Sequence, residues 1–138
     1  MMVVDSSVWI DFFNGRQTPQ SVYLRDSADR PQIVVGDLIL CEVLQGFRQE
    51  KDFHASRELL LSFHYRDMVG QSLALEAARH YRALRARGIT VRKTIDVLIG
   101  TFCLINDFEL LHDDRDFDPM ETHLGLRVVR LDDRDTHS

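Results

Sequence analysis

The chain has 138 residues, a formal net charge of −5 at pH 7, and 44% hydrophobic and 28% charged residues. Such a length suits one domain with a real core, the hydrophobic share excludes a disordered chain, and the acidic balance argues against a surface coated in basic charge for nucleic acid. An enzyme whose cation is a bound metal stays open, because acids that hold a metal add to the negative count.

In chain order, the sequence opens on "VVDSSVWIDFF". Val3–Val4 predicts a strand that runs into Asp5, Ser6 and Ser7, followed by a helix over Val8–Phe13. A helix is expected over Ser21–Ala28, a strand at Ile33–Val35, and helices over Leu38–Gln45 and Phe53–Leu61. The loosely alternating "FHYRDMV" predicts a third strand at about Phe63–Val69. Leu73, Ala77, Tyr81 and Leu84 recur at helical spacing, predicting a helix over Leu73–Arg87 bounded by Gly70 and Gly88. A buried helix over Thr94–Asn106 follows. It contains the apolar run "VLIGTFCLI", too short for a membrane span of about 20 residues. Strands are then expected at Leu110–His112 and Arg127–Leu131, before a polar tail, "DDRDTHS". Strand alternating with helix implies a mainly parallel sheet covered on both faces, in one domain over residues 1–138. Cys41 and Cys103 lie in apolar surroundings without metal-ligand spacing and read as buried free thiols of a reducing cytosol. No basic-then-apolar secretion signal opens the chain.

Four places carry acids where apolar neighbours would be expected. Asp5 follows a strand, where it either caps the next helix or stands at the carboxyl edge of a sheet, the usual ligand edge. Glu42 lies in "DLILCEVLQGF", either on a narrow exposed face or as a partly buried carboxylate needing a partner. Asp96 stands near the start of "TIDVLIG", either as a first-turn acid favoured by the helix dipole or as a site acid. Asp113, Asp114 and Asp116 follow the strand in "LLHDDRDFD", as a solvated turn or a group gathered around a cation. If the two acid-tipped strands are sheet neighbours, all four places converge on one edge. Carboxylates that meet only on folding suit hard divalent cations such as Mg²⁺ or Mn²⁺. Zinc has no Cys/His set here, and His112 reads as a structural neighbour.

Asp5 in "VVDSSVWIDFF", Glu42 in "LILCEVLQGF", Asp96 in "IDVLIGTFC" and Asp114 with Asp116 in "LLHDDRDFD" together resemble a PIN-domain ribonuclease. More narrowly, the chain is similar to the VapC toxins of bacterial VapBC toxin–antitoxin modules. The resemblance covers essentially the whole chain, departing at His112, where many relatives carry threonine or a similar residue. It implies a five-stranded sheet in a three-layer α/β/α fold. It also implies Asp5, Glu42, Asp96 and Asp114 as catalytic metal ligands, Asp116 as a further ligand, and Ser6 as a hydrogen-bonding support for the first acid. Mg²⁺ or Mn²⁺ would be the cofactor, RNA the substrate, and 5′-phosphate and 3′-hydroxyl ends the products.

"ARHYRALRARGITVRK" holds six cations and no acid, and leads straight into Asp96. Solvated arginines are common, but as a group Arg85, Arg87 and Arg92 suit a phosphate-steering track. Trp9, Phe12 and Phe13 either fill the core or offer anchors to a small VapB-type antitoxin, the partner implied by the resemblance along with a homodimer and toxin–antitoxin hetero-oligomers. The expected location is the cytoplasm. Two rival functions are a receiver- or phosphatase-like phosphotransfer module and a catalytically inactive binding protein. The first lacks a lysine after a late strand, and the second would show a missing acid.

Overall fold

The computed structural model describes residues 1–27 and 32–131. Residues 28–31 and 132–138 lie outside the described residues, and with them Ala28 at the end of the second expected helix and the expected polar tail. The elements run β1 (Met2–Val4), α1 (Ser6–Phe13), α2 (Pro19–Ser27), β2 (Ile33–Gly36), α3 (Asp37–Leu44), α4 (Glu50–Leu61), β3 (His64–Arg66), α5 (Gln71–Ala86), α6 (Thr94–Asn106), β4 (Glu109–Leu111) and α7 (Asp118–Leu124), with a 3₁₀ turn at Arg115–Phe117. No helix among the described residues is long and apolar enough to cross a membrane.

The sheet has the order β3-β2-β1-β4, and every pair is parallel. Short, wholly buried apolar strands such as Met2–Val4 and Ile33–Gly36 are what a parallel sheet covered on both faces requires. From β1 the chain lays β2 and β3 to one side, then returns to set β4 on the other. The carboxyl ends of β1 and β4 therefore flank the point where strand order reverses, which is where open α/β sheets hold ligands. Val4 registers with Leu111, and the Asp5 amide donates to the Leu111 carbonyl at 2.9 Å. Asp5 is thus pinned beside the end of β4.

β3 is exposed along its whole length at the sheet edge, which explains the loose alternation of "FHYRDMV". α6 keeps its expected bounds and is buried at Asp96, Val97 and Ile99 to Cys103. α5 packs along it, and α7 reaches it through Met120: a Cβ on Gly100 would lie 2.4 Å from Met120 Cε.

Three expectations are corrected. The fifth strand expected at Arg127–Leu131 is a single parallel bridge between Val128 and Leu110, leaving four strands. The chain leaves α7 through Gly125 in the left-handed region, so only the Arg127 carbonyl and Val129 amide reach Leu110. Cys41 is exposed, and only Cys103 is a buried thiol. Ile39 and Val43 turn one stripe of α3 to the core, and Cys41 sits between them on the opposite side of the helix. The 3₁₀ turn and α7 lie where an acidic turn was expected to lead directly to the last strand. Their signals were present, with Pro119 at the helix start, Asp118 and Glu121 in the first turn and Gly125 at the close.

Gly36 ends β2 and caps α3, the helix that carries Glu42. A Cβ there would stand 2.2 Å from both Cγ and Sδ of Met68, itself 1% exposed. Gly36→Ala is expected to cost about 1–3 kcal/mol by overpacking, read as a lower denaturation midpoint with an unchanged slope.

Candidate metal centre

Asp5 is the N-cap of α1 and one of the few buried charged residues, 3% exposed. Its Oδ2 accepts from the Ser7 amide at 3.3 Å and the Ser7 hydroxyl at 2.6 Å, while its buried Oδ1 has no hydrogen-bond partner. The two readings of Asp5 therefore coexist, one oxygen serving as a cap and the other left free. Glu42, half-buried on α3, accepts from the Ser6 hydroxyl at 2.9 Å. Ser6 was expected to support the first acid, but its hydroxyl goes to Glu42; Asp5 is held by Ser7. The sequence does not single out Ser7, because two adjacent serines after the acid offer the same local hydrogen-bonding type.

Asp96 lies in the first turn of α6 and is 4% exposed. Asp114 caps the 3₁₀ turn by accepting from the Asp116 amide at 2.9 Å, and its own amide donates to His112 Nδ1 at 3.2 Å. His112, packed on Phe117 with ring centroids 4.9 Å apart, thus holds the Asp114 backbone from beside the cluster. One carboxylate oxygen each from Asp96, Asp114 and Asp116 lies within 4.8 Å of the others. The tightest trio among the described residues thus includes Asp116, while Asp5 and Glu42 stand outside it.

Electrostatics nevertheless tie Asp5 and Glu42 to Asp96 and Asp114. Asp5 is raised above the ordinary carboxylate range by burial, with the Asp114 charge adding to it against the Ser7 and Ser6 hydrogen bonds. Glu42 is raised by burial and by Asp5, against the Ser6 hydroxyl and Lys93. Burial pushes Asp96 up to about 6, helped by Asp5 and Asp114 and opposed by Lys93. For Asp114, burial acts upward, but the Asp116 amide and Lys93 outweigh it and hold the group low. Lys93 donates to Asp114 Oδ2 at 3.0 Å and stands 3.5 Å from Asp96 Oδ2, and Arg92 donates to Asp116 Oδ1 at 3.4 Å. The hydrogen bond to Asp114 raises the Lys93 ammonium, with Asp96, Asp114 and Asp116 adding to it.

Asp5 Oδ1, Asp96 Oδ2 and Asp116 Oδ2 are buried without a hydrogen-bond partner, which is costly unless something else satisfies them. Hard oxygen donors left open in this way fit a divalent cation of the Mg²⁺ or Mn²⁺ kind.

Outside the acids, the expected track divides. Arg92 and Lys93 are drawn into the acid cluster, and Arg79 pairs with Glu76. Arg85, over the Tyr81 ring at 5.8 Å, and Arg87 are exposed and have no carboxylate partner among the described residues. Trp9, expected as a possible surface anchor, is instead core: it is 1% exposed and packs on Phe12, Phe13 and Phe63 at 5.9, 5.8 and 5.5 Å between ring centroids. Core-facing spacing with Val8 puts it inside, leaving Phe12 and Phe13 half-buried at the boundary.

A carboxyl group raised in the folded state favours folding at low pH, and that advantage is lost as pH rises. For Asp96 the window runs from 3.8 to about 6. Asp96→Asn is therefore expected to gain on the parent protein in chelator-treated solution as pH rises through that window, by at most about 3 kcal/mol. Denaturant titrations of both proteins at several pH values check this, and a constant difference would remove Asp96 from the strained set.

The sequence matches the PIN domain family over residues 2–121. It is 29% identical over 132 residues to the VapC ribonuclease Mb1587 of Mycobacterium bovis and to ribonuclease VapC11 of Mycobacterium tuberculosis, covering 94% of this chain and 98% of theirs. In three dimensions it is similar to VapBC2 from Rickettsia felis, solved on a DNA fragment from its promoter, with TM-score 0.74 at 14% identity over 95% of this chain and 98% of that one. FitAcB from Neisseria gonorrhoeae gives TM-score 0.74 at 13% identity, covering 94% and 97% of the two chains. The parallel sheet with its acids at the carboxyl edge and the match across most of the chain agree: the protein belongs to the PIN domain family.

Proposed function

We propose that the protein is a metal-dependent endoribonuclease, the toxin of a type II toxin–antitoxin module in the cytoplasm, with Mg²⁺ or Mn²⁺ as cofactor. The observation that carries the reading is the group of three buried, unpartnered carboxylate oxygens on Asp5, Asp96 and Asp116 at the switch point of the sheet. The names of the curated relatives support RNA as substrate, and the VapBC neighbours support a VapB-type antitoxin as partner, with a homodimer and hetero-oligomers as the assemblies. A phosphotransfer module fits less well. The site lysine, Lys93, precedes α6 and does not follow a strand.

Asp96, Asp114 and Asp116, with Asp5 and Glu42 beside them, would hold the cation. When bound, such a cation makes water more acidic and neutralises phosphate charge. Ser7 fixes one oxygen of Asp5 so that the other stays turned to the site. Ser6 orients Glu42 through Oε1. Arg85 and Arg87, at the end of α5, and Arg92, before α6, form the approach for the RNA backbone toward Asp96. The antitoxin would lie along α1 and α2, where half-buried Phe12 and Phe13 share α1 with exposed Ile10 (40%), and where Phe12, Arg16 and Arg25 line a small cleft. Trp9 supports that face from beneath.

Incubation of the purified protein with total RNA is expected to give cleavage with Mg²⁺ or Mn²⁺, none with EDTA, and 5′-phosphate with 3′-hydroxyl ends on mapping. Cyclic phosphates, or cleavage indifferent to EDTA, would overturn the reading. Asp5→Asn, Glu42→Gln, Asp96→Asn and Asp114→Asn should each lose at least the roughly 100-fold that even an outer-shell change at a metal site can cost. Expression of the parent protein alone should halt growth, and Asp5→Asn should not.

Neutralising Arg85, Arg87 and Arg92 together should raise the RNA concentration needed for half-maximal cleavage and flatten its salt dependence. An unchanged salt slope would return these arginines to an ordinary solvated face.

A further inference from the structure

The acid cluster already contains a cation of the chain's own. Lys93 stands immediately before α6 and donates to Asp114 Oδ2 at 3.0 Å while lying 3.5 Å from Asp96 Oδ2, so its ammonium sits between two members of the tightest carboxylate trio. The approach to Asp96 is an ion pair without hydrogen-bond geometry, since Asp96 Oδ2 has no hydrogen bond. The Lys93 side chain is 53% exposed, in contrast to 5% and 21% for those of Asp96 and Asp114. The acids are fixed in the protein, and the amine reaches them from solvent on a flexible four-carbon stem.

We propose that Lys93 is a tethered counter-ion of the metal centre: its ammonium occupies the space between Asp96 and Asp114 in the metal-free protein, and a divalent cation expels it. The inference rests on the metal-dependent reading above and deepens it by naming what the cation must displace. Geometry supports the exchange. Mg²⁺ holds its oxygens at roughly 2.0–2.1 Å, so no two of its ligands stand more than about 4.2 Å apart. One oxygen each of the trio lies within 4.8 Å of the others, and the bulkier ammonium stands 3.0 Å from Asp114 Oδ2 and 3.5 Å from Asp96 Oδ2. A small contraction around a divalent ion leaves no room for the amine between those two carboxylates. One positive charge near several carboxylates also cannot neutralise them, and a doubly charged ion with shorter bonds is the stronger competitor. Arg92 on Asp116 Oδ1, at 3.4 Å and with an 82% exposed side chain, is a weaker companion.

The sequence supplies its own control, because Lys51 and Lys93 are its only lysines. Lys51 lies exposed on α4, away from the acids. Acetylation of the intact protein with an N-hydroxysuccinimide ester, followed by mass spectrometry of the two lysine peptides, should show Lys93 slow without metal and faster by about threefold or more with millimolar Mg²⁺, the scale of releasing an ion pair. Lys51 should be unchanged. Coupling between the two cations is reciprocal, so Lys93→Met should bind Mn²⁺ more tightly by a similar factor in a paramagnetic-resonance titration. If Mn²⁺ binds the parent protein while Lys93 labelling does not move relative to Lys51, the counter-ion role is overturned and the metal centre stands. If neither Mg²⁺ nor Mn²⁺ binds or raises the melting temperature, the metal reading fails and takes this inference with it.

Discussion

Like charge in a confined space dominates this molecule. Four carboxylates, from Asp5, Glu42, Asp96 and Asp114, are coupled at one edge of a small parallel sheet with Asp116 beside them, and burial makes the ionised forms of Asp5, Glu42 and Asp96 expensive. Everything around them answers that repulsion. Serine hydroxyls take one oxygen each of Asp5 and Glu42, backbone amides hold Asp114, and Lys93 and Arg92 reach in from the rim. What remains unanswered is a set of buried oxygens with no hydrogen-bond partner, and the proposed function rests on them.

The fold explains why the repulsion is tolerated. A parallel sheet sends all its strand ends to one side, and a strand order that reverses at β1 opens a gap there. The core beneath is continuous: Val3, Val4, Val34, Val35, Leu110, Ile39 and Ile99 are all 0% exposed. That rigid apolar base offsets the cost of keeping carboxylates at its edge, in line with the general finding that functional sites hold strain supplied by stability elsewhere.

Much of this was legible in the sequence, and the misses have physical causes. Periodicity placed α5 and α6 well because long apolar stripes average over many residues, and acids interrupting buried segments marked the site. The fifth strand failed because an apolar run reports burial, and pairing depends on where α7 releases the chain. Trp9 was ambiguous because one aromatic carries no direction until Val8 and the packing of Phe12, Phe13 and Phe63 around it are known. Ser6 and Ser7 could not be told apart by type; their roles follow from helix geometry, which turns adjacent residues to different neighbours. Lys93 was legible only as one of several cations, since nothing local reveals that it folds back onto Asp114.

The pairing of β1 with β4 has a further consequence, one of timing. Val4 and Leu111 stand far apart in the sequence, so they meet only after all the elements between them have been made. Contacts so distant in sequence close late in folding. Asp5 is synthesised well before Asp114 and Asp116, so the carboxylates stay dispersed until the later strand and its turn have been made. A nascent chain that has not yet reached β4 cannot assemble the site.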